Sequence, residues 1–488
     1  MGIEPLVLEK MAQRGNLLPY YREFLADTLT PVAGYLNIFE NSSSFLLESA
    51  EGGEKWGRYS FIGVSPLYEV TYKDRVLKIE GKNGYREVKI TPDPLYELRK
   101  FMRKLKFTKS EELPRFQGGL VGYFSYDMVR CWEKLPELSS RDIPFPEAIF
   151  IIPESLIIFD HATHKVKVLT LIDLQKESLQ AGMKKAKNRT GEIMEMLLRK
   201  EIPFSTGISL SELKSNFAQK DFEEAVSKAK QYVYQGDIIQ TVISQRWESK
   251  FSGSPFAIYR ALRSINPSPY MFYLNLGEVK LLGASPEVLV RMENNLVEVR
   301  PIAGTRKRGR NEEEDKILER ELLSDEKEKA EHIMLVDLAR NDVGRVAEKG
   351  SVKVTELMGI ERYSHVMHIV SHVVGRLERG KDGFEVLKAT FPAGTVSGAP
   401  KIRAMEIIEE LEPSRRGPYA GAVGYFDFAG NLDFCITIRS IMMYQNRLFV
   451  QTGAGIVADS VPEKEYEETV NKARALLQAI DWSKNGLK

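Results

Sequence analysis

Between about Tyr35 and Ile90, short β-branched and aromatic runs are separated by tight turn clusters, among them Glu51-Gly52-Gly53 and Gly81-Lys82-Asn83-Gly84, and this spacing reads as antiparallel strands. Further along, strands and helices interleave without the regular βα alternation of a parallel, doubly wound sheet. The expected fold class is therefore α+β, with largely antiparallel sheets and helices packed outside. With 488 residues, 43% hydrophobic and 28% charged, the chain can bury a sizeable core in two large domains or one composite one.

Lys176 to Lys200 reads as a helix, with Met183, Ala186, Ile193, Met194 and Leu197 set among Lys and Glu. Glu201 to Asn216, holding Pro203 and Gly207, reads as a connector. A new helix signal follows, with Asp221 and Glu224 as a capping box and Phe222, Ala225, Val226, Ala229, Tyr232 and Val233 at helical spacing up to Gly236. These signals divide the chain into residues 1–216 and 217–488. One internal echo crosses that boundary: Gly119-Leu-Val-Gly-Tyr-Phe124 and Gly421-Ala-Val-Gly-Tyr-Phe426 agree at five of six positions.

The charge balance, 69 Lys plus Arg against 68 Asp plus Glu, supplies no field to steer the protein towards nucleic acid or an anionic membrane. Cys131 and Cys435 form neither a disulfide framework nor a zinc spacing. Glu4, Pro5 and Glu9 interrupt the stretch where an export signal would need apolar residues, and Pro153 and Glu154 break the apolar run from Ile149 to Phe159. A cytoplasmic chain with no membrane partner is expected.

Two helices carry the acidic chemistry. One follows an expected turn, Gly453-Ala-Gly455-Ile-Val-Ala-Asp-Ser460, with Pro462 and Glu463 in its first turn, and aligns Glu465, Glu468 and Lys472 on one face. The other runs from about Asn311 to Arg340 and carries Glu328, Glu331 and His332. Mg²⁺ takes one or two carboxylates and fills its remaining positions with water and substrate oxygens, so two such faces across a cleft would suit it. By charge pattern alone, solvated, salt-bridged surfaces are the favoured reading of both faces. Phe391-Pro-Ala-Gly-Thr-Val-Ser-Gly-Ala-Pro-Lys401 places Pro400 at the start of a helix whose free N–H groups could hold a carboxylate, or is an ordinary turn. No GxxxxGK[ST] phosphate loop is present.

Five ordered segments resemble the signatures of the chorismate-utilising enzymes over about Phe217 to Trp482: Pro301-Ile-Ala-Gly-Thr-Arg306, Glu331-His-Ile-Met-Leu-Val-Asp-Leu-Ala-Arg-Asn-Asp342, Tyr363-Ser-His-Val-Met-His368, Gly394-Thr-Val-Ser-Gly-Ala-Pro-Lys401 and Gly453-Ala-Gly-Ile-Val457 with Glu465 and Glu468. The resemblance implies two facing antiparallel sheets with outer helices. It also implies Mg²⁺ between Glu331 and Glu468, with Glu465 close by and Lys472 near the ring carboxylate of chorismate. By the same resemblance Glu287 protonates the leaving hydroxyl, and His368, rather than His365, promotes loss of pyruvate. It further implies that Arg439 and Tyr425 hold the enolpyruvyl carboxylate, and that Gly304, Thr305, Thr395, Gly453, Ala454 and Gly455 line the pocket.

Relatives that add water carry Lys where this chain has Gln240, and an uncharged amide cannot deprotonate water. Aminodeoxychorismate synthases usually carry a nucleophilic Lys where this chain has Ala303. The resemblance therefore points to the anthranilate synthase large subunits, at the first committed step of tryptophan biosynthesis. An aminodeoxychorismate or aminodeoxyisochorismate synthase stays open as the alternative. From other classes, a catalytically silent scaffold or a nucleic-acid binder using Arg306-Lys-Arg-Gly-Arg310 also stays open.

Phe45-Leu-Leu-Glu-Ser49, Arg58-Tyr-Ser-Phe-Ile-Gly63 and Asn266-Pro-Ser-Pro-Tyr-Met271 are similar to segments of the same subunits. That similarity implies a tryptophan site at Leu47, Glu48, Ser49, Pro269, Tyr270 and Met271, with feedback inhibition, and makes residues 1–216 regulatory. Neither cysteine lies in a nucleophile turn, so glutamine use would need a separate amidotransferase subunit.

Overall fold

The structure, a computed structural model, describes residues 2–38, 42–49, 57–82, 84–199, 207–363, 366–484 and 486. Of the expected turns, Glu51-Gly52-Gly53 and Asn83 lie outside the described residues, as do residues 201–206 of the connector. The remainder of that connector forms two short strands, Ser209–Leu210 and Lys214–Ser215, both laddered to the long strand Gln240–Ser252.

Antiparallel ladders join the strands into one network, and helices cover it outside. The long apolar run seen in the sequence becomes strand Ala148–Asp160, buried at every position. A strand buried on both faces must lie between layers, which explains why its sequence does not alternate. Strands Gly119–Phe124 and Ala422–Asp427 are buried throughout in the same way.

These last two strands are the internal echo, and they pair with each other, Gly122 opposite Gly424. A Cβ on Gly122 would stand 1.9 Å from the Ile149 carbonyl oxygen, and one on Gly424 2.1 Å from that of Asp433. The repeated glycine thus answers the same need twice, the close approach of a flanking strand.

Pairing across the expected boundary is extensive. Ser44–Glu48 ladders with Tyr270–Leu276, and Gly119–Phe124 with Ala422–Asp427. The largest apolar cluster draws Leu17 and Phe150 from one side and Phe272 and Phe434 from the other. Residues 1–216 and 217–488 therefore share one core.

Helix Leu179–Leu197 lies within the expected range, capped by the Ser178 hydroxyl. Two helix readings need correction. Helix Gln219–Tyr234 begins before the supposed capping box: Ala218 is its N-cap, and Asp221 contributes only a first-turn negative charge. The helix expected from Asn311 to Arg340 is two, Glu312–Ser324 and Glu326–Gly344, because the Asp325 side chain accepts from Lys327 N and Glu328 N and starts a fresh helix. The basic run is not an open patch, since Arg306 pairs with Asp325 and Glu328, and Arg308 with Asp315. Among the described residues no helix is long and apolar enough to cross a membrane.

Candidate active site

The first wall of the cleft is strand Arg447–Ile456 with helix Pro462–Lys484 behind it. Gly453 and Gly455 are not in a turn, as the sequence suggested, but inside the strand, opposite Ser244 and Val242. Alternate glycines leave one strand face bare. A Cβ on Gly455 would stand 2.6 Å from Gln240 Nε2, and one on Gly453 2.9 Å from the Tyr419 hydroxyl. Ala454 points the other way, into a core with Phe222 and Val226, and meets the cleft only through its backbone.

Lys472 donates to the Gly453 carbonyl at 3.0 Å and pairs with Glu468 at 2.6 Å. Arg439 donates to the Lys472 carbonyl at 3.0 Å. Burial holds its guanidinium below the usual value, opposed by Tyr419 and Glu468, and no carboxylate among the described residues pairs with it directly.

Helix Glu326–Gly344 forms the second wall. Burial raises the Glu331 carboxyl, the Glu328 and Glu468 charges raise it further, and Lys327 and Lys472 oppose them. Glu465 is raised by burial, with Ser460 opposing and Glu468 adding. Carboxyls from two helices far apart in sequence therefore share one electrostatic neighbourhood. No group of three or more His, Cys, Asp or Glu among the described residues forms a preformed metal cage. A divalent ion that keeps several waters needs only one or two carboxylates, and Glu331 with Glu468 fits that requirement; the like charge crowded there is what such an ion would relieve.

The third wall pairs Ile302–Lys307 with Val366–Arg376, Thr305 opposite His368. His368 Nδ1 lies 3.0 Å from the Gly304 carbonyl and 3.1 Å from Thr305 Oγ1. A carbonyl only accepts, so Nδ1 is assigned the hydrogen and Nε2 remains the basic nitrogen. His365 lies outside the described residues. His332, beside Glu331 in sequence, faces the core against Ser371 Oγ at 2.6 Å, and burial lowers it to about 4.

At the floor stands Glu287, between strands Val279–Ser285 and Val288–Glu293 and pushed up to about 8 by burial. The Thr395 hydroxyl opposes that shift but falls short of full hydrogen-bond geometry, so its Oγ1 has no partner among the described residues. Gln240, also buried, has an Oε1 without a partner among the described residues. Pro400 is the N-cap of helix Lys401–Leu411 rather than its first residue.

Tyr425 is not with Arg439. Its strand alternates faces, and the ring packs on Phe116 at 4.3 Å and lines a separate cavity of about 400 Å³. The tyrosine beside Arg439 is Tyr419, which the sequence reading passed over. Its only local signal is an aromatic between Pro418 and Ala420 in a Gly-flanked loop. The separate cavity gathers Leu47, Glu48, Ser49, Pro269, Tyr270 and Met271 in one lining. Its inner end is polar: Asp433 accepts from Tyr270 at 2.8 Å and from Arg291 and Arg115 at 3.0 Å each.

Residues 43–478 match the family model described as chorismate binding enzyme. Anthranilate synthase component 1 of Aquifex aeolicus is 52% identical over 97% of both chains, and that of Acetivibrio thermocellus 49% over 96% of this chain and 97% of its own. The crystal structure of anthranilate synthase component I from Streptococcus pneumoniae superposes with a TM-score of 0.75 at 39% identity, covering 87% of this chain and 95% of that one. The menaquinone-specific isochorismate synthase of Escherichia coli, 19% identical with a TM-score of 0.73 over 97% of this chain and 98% of its own, shares the fold. The chain belongs to the chorismate binding enzymes, in the anthranilate synthase component I branch.

Proposed function

We propose that the protein is a lyase that converts chorismate and ammonia to anthranilate, pyruvate and water, using Mg²⁺ held by Glu331 and Glu468 with Glu465 and Glu328 nearby. The observation that carries this reading is the meeting of acidic side chains from two helices opposite a guanidinium, Arg439, that no carboxylate among the described residues pairs with directly. Such a site suits a substrate with two carboxylates, one beside a divalent cation and one on arginine. The names of the relatives support the choice of reaction.

Bound Mg²⁺ would supply positive charge at the ring carboxylate. Arg439 and Tyr419 orient the enolpyruvyl carboxylate, and the Gly453 to Gly455 backbone lets the ring lie close to the strand. The buried Gln240 amide presents an acceptor suited to ammonia and cannot activate water. Ammonia forms the new C–N bond as the allylic C–O bond breaks, and Glu287 gives its proton to the departing hydroxyl, which leaves as water. His368 Nε2 then takes the proton from the amine-bearing ring carbon; the enolpyruvyl C–O bond breaks, the ring becomes aromatic, and the departing enolate takes up a proton at its methylene carbon to become pyruvate.

A partner that releases ammonia from glutamine belongs to this reading, supported by the component numbering of the relatives. Tryptophan as an inhibitor in the separate cavity belongs to it too, supported by the six residues gathered there.

Fluorescent anthranilate should form from chorismate, ammonia and Mg²⁺, stop on chelation, and fall sharply in Glu468→Ala and Gln240→Lys. An amino product that retains its enolpyruvyl group, or turnover indifferent to chelator, overturns the reading. Millimolar tryptophan should lower turnover and raise the thermal midpoint; if neither moves, the inhibitory site is wrong.

A further inference from the structure

The helix face that presents Glu331 does not end at the cleft. Leu335, Leu338 and Asp342 follow at helical spacings of four, three and four, and all three line a cavity together with Glu287 and Thr395. At the far end of this ridge Asp342 Oδ2 takes a hydrogen bond from Lys401 Nζ at 2.7 Å, both side chains being close to buried, 9% and 11% exposed. Burial raises the Asp342 carboxyl, and Lys401 opposes that shift.

Lys401 opens the helix that follows the segment carrying Thr395. That segment is built into the opposite side of the cleft: Ala399 ladders with Gln240, Ile239 N donates to the Ala399 carbonyl at 2.7 Å, and Val242 N donates to the Ser397 carbonyl at 3.0 Å. It also lies flush on the helix, since a Cβ on Gly394 would stand 2.7 Å from Leu338 Cδ1. Gly394 and Lys401 therefore touch the same ridge, on either side of the residues that flank Gln240.

We infer that the Lys401–Asp342 pair is a positioning device for the proposed reaction, fixing the ridge that carries Glu331 against the segment that carries Thr395 and borders Gln240. Neither residue touches the reacting atoms. The tie sets the separation between the acidic helix and the floor where ammonia meets the ring. A buried pair is well suited to this: its geometry is directional, whereas an apolar contact of equal volume tolerates sliding.

The inference rests on the reading of the site as an anthranilate-forming centre, and wild-type turnover tests that reading separately. The variant of choice is Asp342→Leu with Lys401→Met, which replaces the pair by apolar side chains and leaves no orphaned charge. Its kcat should fall about 100-fold, the loss that a misplacement on the order of 1 Å produces, while KM for chorismate stays within about threefold. The alkaline limb of kcat should move to higher pH, because Thr395, which opposes the upward shift of Glu287, drifts away from it. Asp342→Asn keeps one hydrogen bond to Lys401 and should show the same changes at smaller size, so the test survives a double variant that does not fold. Wild-type kcat and an unmoved limb in either folded variant overturn the inference. A wild-type chain that makes no anthranilate overturns the underlying reading, and this inference with it.

Discussion

Glu287 must hold a proton near neutral pH to give one away, and its surroundings keep it protonated up to about 8. Replacing it with Gln should lower kcat about 100- to 10,000-fold, the usual span for a general acid. The same shift fixes a stability signature. The folded protein retains a proton that the unfolded chain releases above its ordinary carboxyl value, so the stability of the wild type falls, relative to Glu287→Gln, as pH rises from about 5 to about 8, then levels off. Thermal midpoints of the two proteins across that range check it, and a constant difference would mean that the carboxyl is not held protonated. Part of the candidate site was legible in the sequence: helical spacing set Glu465 and Glu468 on one face, whereas His368 was singled out only by the resemblance of its segment. Tyr419 was not, because a lone tyrosine in a loop carries no period, and Tyr425 was misassigned because its identity in a strand says nothing about which face the ring takes.

At the scale of elements, the bare face of strand Arg447–Ile456 is the feature on which the proposed mode of substrate binding depends. Gly455→Ala fills that face: the strand backbone accepts alanine, but the new methyl would crowd Gln240 Nε2, the mobile end of a side chain that can yield. The expected outcome is a folded protein with a nearly unchanged thermal midpoint and ammonia-dependent turnover reduced about 10-fold or more by the displaced amide. Wild-type turnover in this variant would show that the Gln240 amide position does not matter. Elements themselves were legible where periodicity is strong, as in helix Leu179–Leu197. Their ends were not. Asp325 splits an unbroken helical pattern by offering its side chain to Lys327 N and Glu328 N, a local competition that hydrophobic spacing cannot register. Gly453 and Gly455 read as turn residues because glycine is a turn former by default, whereas here it serves close approach within a strand.

For the whole molecule, a connector holding Pro203 and Gly207 and a helix start placed a boundary near residue 216 that the packing does not observe. Strand pairing between distant segments leaves no periodic trace, so the ladders of Ser44–Glu48 with Tyr270–Leu276 and of Gly119–Phe124 with Ala422–Asp427 were out of reach of a sequence reading. Their consequence is physical. A fragment of residues 217–488 would keep the acidic helices, Arg439 and Gln240, yet would bare the backbone donors and acceptors of two strands together with apolar side chains such as Phe272, Phe426 and Phe434, all buried in the intact chain. The cavity that gathers Leu47 and Glu48 with Pro269 and Tyr270 would lose one of its walls. The fragment is therefore expected to aggregate or to stay molten, with no near-ultraviolet circular dichroism, no cooperative melt and no anthranilate, although it holds every residue assigned here to the proposed reaction. The intact chain should unfold in denaturant as one unit, with tryptophan fluorescence and far-ultraviolet dichroism following the same curve. A soluble fragment with a cooperative melt and ammonia-dependent turnover would mean that the shared ladders are an accessory to the catalytic fold rather than part of it.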